Sequence, residues 1–142
     1  MQALWNHQIG VSGYYLQPIG GDEAPLQRWS HVGGSGTLVT LPEAAMRGDH
    51  VVFVESIYLA PVTGLTLPFI GEPALRLEHA TGAAWRSGDA VPRFEQNLGG
   101  GLQASLFHAV LVTDPAGEDL RFRVRMGVAI PGGNALAPFP FF

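Results

Sequence analysis

The sequence predicts an all-β protein, an antiparallel β-sandwich with extended N- and C-terminal arms. Residues 50–59 are rich in β-branched and aromatic side chains, and residues 120–126 alternate between apolar and arginine side chains. The chain also contains 19 glycines and 11 prolines, which interrupt its apolar runs. β-Branched and aromatic residues favour strands, whereas glycine and proline end them. A chain of 142 residues is the size of one domain built from such strands.

The two ends of the chain are predicted to be arms outside the sandwich, which then spans residues 31–130. Residues 1–30 combine aromatic side chains with glycines and prolines, and residues 131–142 are rich in proline and phenylalanine. Proline cannot donate to a strand ladder, and large apolar side chains are costly to leave in water. We therefore expect the arms to dock on neighbouring subunits, with folding back onto their own domain as the alternative. The expected interface residues are Trp5, Tyr14, Tyr15, Phe139, Phe141 and Phe142.

Within the sandwich, the clearest strand is the run at residues 50–59, which follows a turn at Gly48 and Asp49. Shorter strands are expected at residues 37–41, 63–69, 74–79 and 83–86. Residues 87–101 end in a glycine-rich stretch that favours neither helix nor strand. They are expected to form a long contact loop.

A β-hairpin is predicted near the C-terminal end of the sandwich. Residues 102–113 and 119–128 have strand character, and the turn-forming residues 114–118 separate them. The period of two in the second segment gives it an apolar face and a cationic face. The apolar face carries Leu120, Phe122, Val124 and Met126, and the cationic face carries Arg121, Arg123 and Arg125. Because guanidinium groups are costly to bury, we expect the apolar face to point into the core.

Composition and charge argue against several classes of function. The net charge is −4, with eight arginines and no lysine, so the sequence predicts no basic surface for a nucleic acid. Without cysteine there are no disulfides and no thiolate metal sites. The first residues do not resemble a cleaved signal, and no apolar run has the length of a membrane-spanning helix. Only 14% of residues are charged, against about 25% in an average soluble domain, which favours a surface that faces other proteins.

The sequence contains no recognisable catalytic or metal-binding motif. Its histidines lack the spacing of a zinc site, and the glycine-rich residues 33–36 lack the pattern of a phosphate loop or a nucleophile elbow. The histidines are His7, His31, His50, His79 and His108. We expect His108 to be a hydrogen-bonded core or interface residue and His50 to lie at the surface. No metal and no cofactor are expected.

A hydrolase of unknown substrate is the third alternative, because two carboxylates that meet in space could act as an acid and a base. The candidates are Glu43, Asp49, Glu55, Glu72, Glu78 and Glu95. No substrate-groove signature accompanies them. The sequence therefore favours a protein that is not an enzyme.

Several segments together resemble modules of tailed-bacteriophage virion proteins. They are residues 37–42 (TLVTLP), 48–49 (GD), 51–54 (VVFV), 62–63 (VT), 105–108 (SLFH), 115–118 (PAGE) and 120–122 (LRF). This pattern is similar to the immunoglobulin-like or jelly-roll β-sandwiches of head decoration proteins and tail fibres. The resemblance implies no catalytic residues. A single module without a stalk favours a compact particle component over a long fibre.

The resemblance implies a capsid decoration (cement) protein, a virion structural protein that stabilises the particle through subunit contacts. Its partners would be the major capsid protein or another virion protein and further copies of itself, with a trimer favoured. It would reside in the virion, assembled in the host cytoplasm. The alternative is a carbohydrate- or receptor-binding module of the tail-fibre type, with exposed aromatic side chains on a concave face. The positions that distinguish the two functions are Tyr14, Tyr15, Trp85 and Phe139.

Overall fold

The structure, a computed structural model, describes residues 7–20, 25–68, 71–90, 92–105, 107–117 and 122–128. These residues form β-strands and one short 3₁₀-helix, Leu26–Arg28. The strands are β1 (Gln8–Leu16), β2 (Ser30–Val32), β3 (Met46–Gly48), β4 (His50–Pro61), β5 (Pro73–Trp85), β6 (Glu95–Ala104), β7 (Phe107–Thr113) and β8 (Phe122–Val128). The predicted all-β fold class is confirmed.

The strands form two antiparallel sheets. One has six strands in the order β1-β4-β5-β6-β7-β8, and the other pairs β2 with β3. Two sheets of this kind are consistent with a β-sandwich. Strands β4 to β8 are neighbours in chain order, as in a meander, whereas immunoglobulin-like and jelly-roll sandwiches use Greek-key connections. The finer assignment to either of those types is therefore not confirmed.

The hydrophobic core lies between the six-stranded sheet and the layer made by β2, β3 and the turns that connect them. Alternate residues of β4 point to this side, where Val51, Phe53 and Ile57 are buried. The core cluster contains Val32, Leu38, Val51, Phe53 and Ala80, with Leu41, Met46 and Ala84 packed against it. We call this side of the six-stranded sheet the covered face, and the opposite side the open face.

Three of the strands differ in extent from the sequence prediction. Residues 74–79 and 83–85 belong to one strand, β5, which pairs with β4 from Ala74 to Trp85, and Arg86 lies just beyond its end. Strand β6 occupies much of the predicted loop 87–101, because neighbours on both sides hold its glycine-rich backbone. The predicted hairpin is present as β7 and β8, although residues 102–104 belong to β6.

The predicted short strands at residues 37–41 and 63–69 are not seen among the described residues. Residues 37–41 form turns, in which the Leu41 amide donates to the Leu38 carbonyl at 3.1 Å. Residues 63–68 contain a turn and one isolated bridge, between Leu67 and Gly71. In both segments apolar side chains suggested a strand, but no neighbouring strand extends a ladder to them.

The N-terminal segment, predicted to be an arm outside the sandwich, contains strand β1. β1 pairs with β4 over its full length, with Ser12 opposite Glu55 at the centre. None of its residues is fully buried, and only Ser12 is half-buried. β1 is therefore an edge strand of the sheet that contributes backbone pairing but little core.

Candidate functional site

A cluster of charged side chains occupies the covered face beside the apolar core. Glu55 lies on β4, Arg76 and Glu78 lie on β5, and Arg125 lies on β8. All four side chains are buried or nearly so, the Arg125 side chain being 11% exposed. Two arginines and two glutamates balance in formal charge, which buried ionised groups require.

The ion pairs of this cluster connect three strands. Arg125 Nη1 donates to Glu55 Oε1 at 2.7 Å and to Glu78 Oε1 at 3.2 Å. Arg76 Nε donates to Glu78 Oε2 at 3.1 Å, and its Nη1 donates to Gln103 Oε1 on β6 at 3.0 Å. Both glutamates thus serve as acceptors for arginine. Held in this way, they are organised as structural ion pairs rather than as an acid and base facing a substrate.

The predicted orientation of β8 is wrong. The period of two is present, but Phe122, Val124 and Met126 are exposed and Arg125 points to the covered face. Arg123 is exposed, while Leu120 and Arg121 lie outside the described residues. The prediction failed because it treated a buried guanidinium as unpaired, whereas Glu55 and Glu78 supply its counter-charges.

The bond between Arg125 and Glu55 shows that the sheet is strongly curled. β4 and β8 are separated by three strands. Four spacings of about 4.8 Å would place them about 19 Å apart in a flat sheet. An arginine and a glutamate side chain do not span that distance together. The covered face is therefore concave, and the open face is convex.

Glycines on the covered face permit this curl. A Cβ on Gly101 of β6 would overlap the Ala109 carbonyl, and one on Gly127 of β8 would overlap the His108 ring. A Cβ on Gly99 would lie 2.8 Å from Glu78 Cγ. Glycines at such positions let neighbouring strands and side chains approach closely on the inside of a bend.

His108 lies at the rim of the charged cluster. Burial, together with the nearby cations Arg76 and Arg125, lowers the pKa of His108 to about 4, against an opposing effect of Glu55. The imidazole is therefore neutral near pH 7. Its Nδ1 is buried without a hydrogen-bond partner among the described residues. His108, predicted to be a hydrogen-bonded core or interface residue, is half-buried, and its Nδ1 atom does not make the predicted hydrogen bond within the described part of the chain.

The open face carries most of the exposed apolar side chains of the sheet, together with a smaller polar group of Ser56, His79, Thr81 and Gln96. Directly paired residues point to the same side of a sheet, so the strand registers show which residues lie on the open face. Its exposed large side chains are Ile9, Val11, Tyr15, Val54, Leu75, Leu77, Leu98, Leu102, Phe107, Leu111, Phe122, Val124 and Met126. Within the described strands of this sheet, every Asp, Glu and Arg points to the covered face instead.

Three rings lie together at one end of the open face, and we call this group the aromatic end. The Trp85 ring stacks on His50, with centroids 5.3 Å apart, and on Tyr15, with centroids 6.4 Å apart. Asp49 Oδ1 bonds His50 Nδ1 at 2.9 Å and also accepts from the Ser87 amide at 2.9 Å. His50, predicted to lie at the surface, is half-buried between these partners.

Of the predicted interface residues, the structure describes only Tyr14 and Tyr15, neighbours on β1. They point to opposite faces: Tyr14 packs on Phe53 of the covered face, with ring centroids 5.7 Å apart. Partial burial raises the pKa of the Tyr14 phenol. Both side chains remain exposed. Trp5, Phe139, Phe141 and Phe142 lie outside the described residues.

The described residues contain no group of His, Cys, Asp and Glu side chains arranged to hold a metal ion. No helix in the same part of the chain is long and apolar enough to cross a membrane. Comparisons with protein families, with curated proteins and with solved structures found no match. The open face, with its aromatic end, is the strongest candidate functional surface.

Proposed function

We propose that this protein is a non-enzymatic structural subunit that self-associates through the open face. More specifically, we propose that it is a capsid decoration protein that binds the major capsid protein or another protein of a virion. The observation that carries the proposal is the exposed apolar surface of the six-stranded sheet. Large exposed apolar patches on soluble proteins mark interaction sites.

The size of the open face suits a stable interface. Six strands spaced by about 4.8 Å, each presenting about seven residues at roughly 3.3 Å per residue, give a face on the order of 650 Å². A standard interface buries about 800 Å² on each partner. Because the open face is convex, a single partner covers only part of this area, whereas the two neighbours of each subunit in a trimer cover more of it together.

The chemistry of the open face favours a second copy of the chain as its occupant. The described part of this face carries no Asp, Glu or Arg, so no like charges meet when two such faces pack together. A partner of a different kind would more often be selected by complementary charge. We propose that the homo-oligomer that the sequence predicts forms through this face and is a trimer.

The test compares two lysine substitutions at aliphatic residues of similar exposure. Val124 on the open face is 67% exposed, and Leu26 on the 3₁₀-helix outside the sheet is 69% exposed. Val124→Lys should shift the oligomer towards monomer in sedimentation velocity, and Leu26→Lys should not. A native protein that is monomeric at all concentrations, or an oligomer indifferent to Val124→Lys, would contradict the proposal.

The particle role needs its own measurement. Purified protein should co-sediment with phage particles that lack it and raise their resistance to heat, because a ligand of the assembled shell shifts the equilibrium away from dissociation. A screen for hydrolytic turnover and an elemental analysis for bound metal are the controls. Saturable turnover abolished by one carboxylate substitution would favour the hydrolase alternative.

Carbohydrate binding is the second candidate function, and the stacked rings of the aromatic end favour it, although they lie on the convex face and not on the concave face that the sequence predicts for such a module. Exposed Tyr15 and half-buried Trp85 form a stacked surface, and the Tyr15 hydroxyl donates to Gln17 Oε1 at 3.1 Å. Apolar ring faces with polar neighbours suit the faces and hydroxyl groups of a sugar. A glycan array with native protein and the Tyr15→Ala variant tests this. Glycan binding by the native protein that is lost in the variant would support carbohydrate binding. An array without signal would contradict it and leave the assembly role as the remaining candidate.

A further inference from the structure

The two edges of the six-stranded sheet differ in how well they are protected. β1 and β8 are the edge strands, and in the described part of the chain each has one neighbour. β8 carries Arg123, which is exposed, and Arg125, which points inward. Charges of this kind discourage edge-to-edge pairing. β1 carries no charged residue and no proline over its nine residues.

β1 is exposed on both sides as well as along its outer edge. Ile9, Val11 and Tyr15 are exposed on the open face, and Tyr14 and Leu16 are exposed on the covered face. A long, uncharged and apolar edge strand is a template for pairing with another strand. In a monomer such a strand promotes aggregation, whereas in a protein that assembles it can form part of an interface.

We propose that β1 pairs antiparallel with β1 of a second copy, with Ser12 opposite Ser12 of that copy. This contact is separate from the open face, although it deepens the proposed assembly function. The sequence of β1 is self-complementary in this register. Val11 lies opposite Gly13 and Gly10 lies opposite Tyr14, so that each glycine meets a larger side chain. An aromatic side chain opposite a glycine stabilises such strands.

The outer positions of the same register also fit. Ile9 lies opposite Tyr15 on the open face, which makes an aliphatic–aromatic cross-strand pair, a favourable combination. The register pairs all nine residues of β1, from Gln8 to Leu16. The contact is two-fold and closes on itself, so it does not extend into a filament. Two-fold and three-fold contacts coexist in dihedral oligomers, so the pairing is compatible with a trimer formed through the open face.

The absence of cysteine from the whole chain makes the pairing easy to trap. Ser12→Cys alone should give a covalent dimer with a short bismaleimide linker. Gln8→Cys and Leu16→Cys should each fail alone, because in each single-variant dimer the two thiols lie about 26 Å apart at roughly 3.3 Å per residue. An equimolar mixture of the two should give the cross-linked heterodimer. A maximum at any other position of β1, or no cross-link, would overturn the proposal.

A matched pair of lysine variants separates this contact from association through the open face. Val11 on β1 and Val124 on β8 are both 67% exposed and both lie on the open face. In the Ser12→Cys background, Val11→Lys should weaken dimerisation at least about tenfold. Val124→Lys should leave the cross-link intact.

The possible failures are distinguishable. Equal loss of the cross-link in both lysine variants would overturn the edge pairing and leave the open-face association standing. Loss in Val124→Lys alone would do the same. A native protein that is monomeric and never cross-links would overturn both proposals.

Discussion

The two faces of the six-stranded sheet carry opposite chemistry, and the charged face is the inner one. The covered face combines a small apolar core with the ion pairs of Glu55, Arg76, Glu78 and Arg125. The open face carries most of the sheet's large apolar side chains, and they are exposed. The hydrophobic effect acts equally on both faces, so the exposed apolar side chains of the open face are the reason for the partner that we propose.

The inner charges determine how the strands of the covered face are arranged more than they add to the stability of the fold. A buried ion pair often contributes little net stability compared with a well-packed apolar replacement. Removing one partner, however, leaves the other charge buried and alone, at a cost of about 3–5 kcal/mol. Because Arg125 joins β8 to β4 and β5, we interpret this cluster as the element that fixes the curl of the sheet.

The largest effect is expected when the inner face loses its bridging cation. Arg125→Met should lower the free energy of unfolding by about 3–5 kcal/mol, because Glu55 and Glu78 lose a shared partner. Arg123→Met, at an exposed position on the same strand, should change it by less than about 0.5 kcal/mol. Urea denaturation monitored by circular dichroism measures both. Equal effects in the two variants would mean that the ion pairs of Arg125 do not stabilise the curled sheet.

A second comparison uses the same substitution on the two faces. Val110 on the covered face is 1% exposed, whereas Val124 on the open face is 67% exposed. Val110→Ala should cost about 2 kcal/mol of stability through lost burial and a cavity. Val124→Ala should cost less than about 0.5 kcal/mol in the monomer. If Val124→Ala were as costly as Val110→Ala at low protein concentration, the open face would be covered within the monomer.

The inner face should also give stability a dependence on pH. Burial lowers the folded-state pKa of His108 to about 4 from its ordinary value of 6.5. As pH falls from about 6.5 to about 4, the unfolded chain takes up a proton that the folded protein does not bind, so stability falls across this window. The loss ends below pH 4, where both states are protonated. NMR titration of the His108 ring should give the folded value directly.

The matched variant for this prediction is His108→Gln, which removes the titrating group. Its stability should fall less than that of the native protein between pH 6.5 and pH 4. A His108 ring that titrates near 6.5 would show that the rim of the cluster is well solvated.

The smallest effect on stability is expected from the C-terminal tail. Removing residues 136–142 should leave the circular dichroism spectrum and the unfolding midpoint unchanged, because Val32, Leu38, Val51, Phe53 and Ala80 form the core cluster with one another. Self-association or particle binding should weaken, since Phe139, Phe141 and Phe142 are predicted interface residues. Light scattering and co-sedimentation test this. Unchanged assembly would indicate that the tail covers its own domain, and global unfolding would indicate that it belongs to the core.

Much of the secondary structure could be predicted from local sequence. The β-branched run of β4 and the alternating residues of β8 form strands, as their β-branched and aromatic side chains favour. The glycine-rich β6 could not be predicted, since its backbone is extended only because β5 and β7 pair with it. Glu55 and Glu78 were among the possible acid–base carboxylates, but nothing in the sequence linked them to Arg125.

The sequence by itself determined an all-β chain, the positions of its clearest strands and the division of β8 into an apolar and a cationic side. Local propensity and alternation depend only on neighbouring residues, and the printed sequence contains them. Only the tertiary structure decided which side of β8 faces inward. That choice depends on the curl of the sheet, which brings Arg125 within 2.7 Å of Glu55 on a strand that lies four positions away. A buried counter-charge so distant in sequence offsets the cost of desolvating a guanidinium, and no local pattern records it.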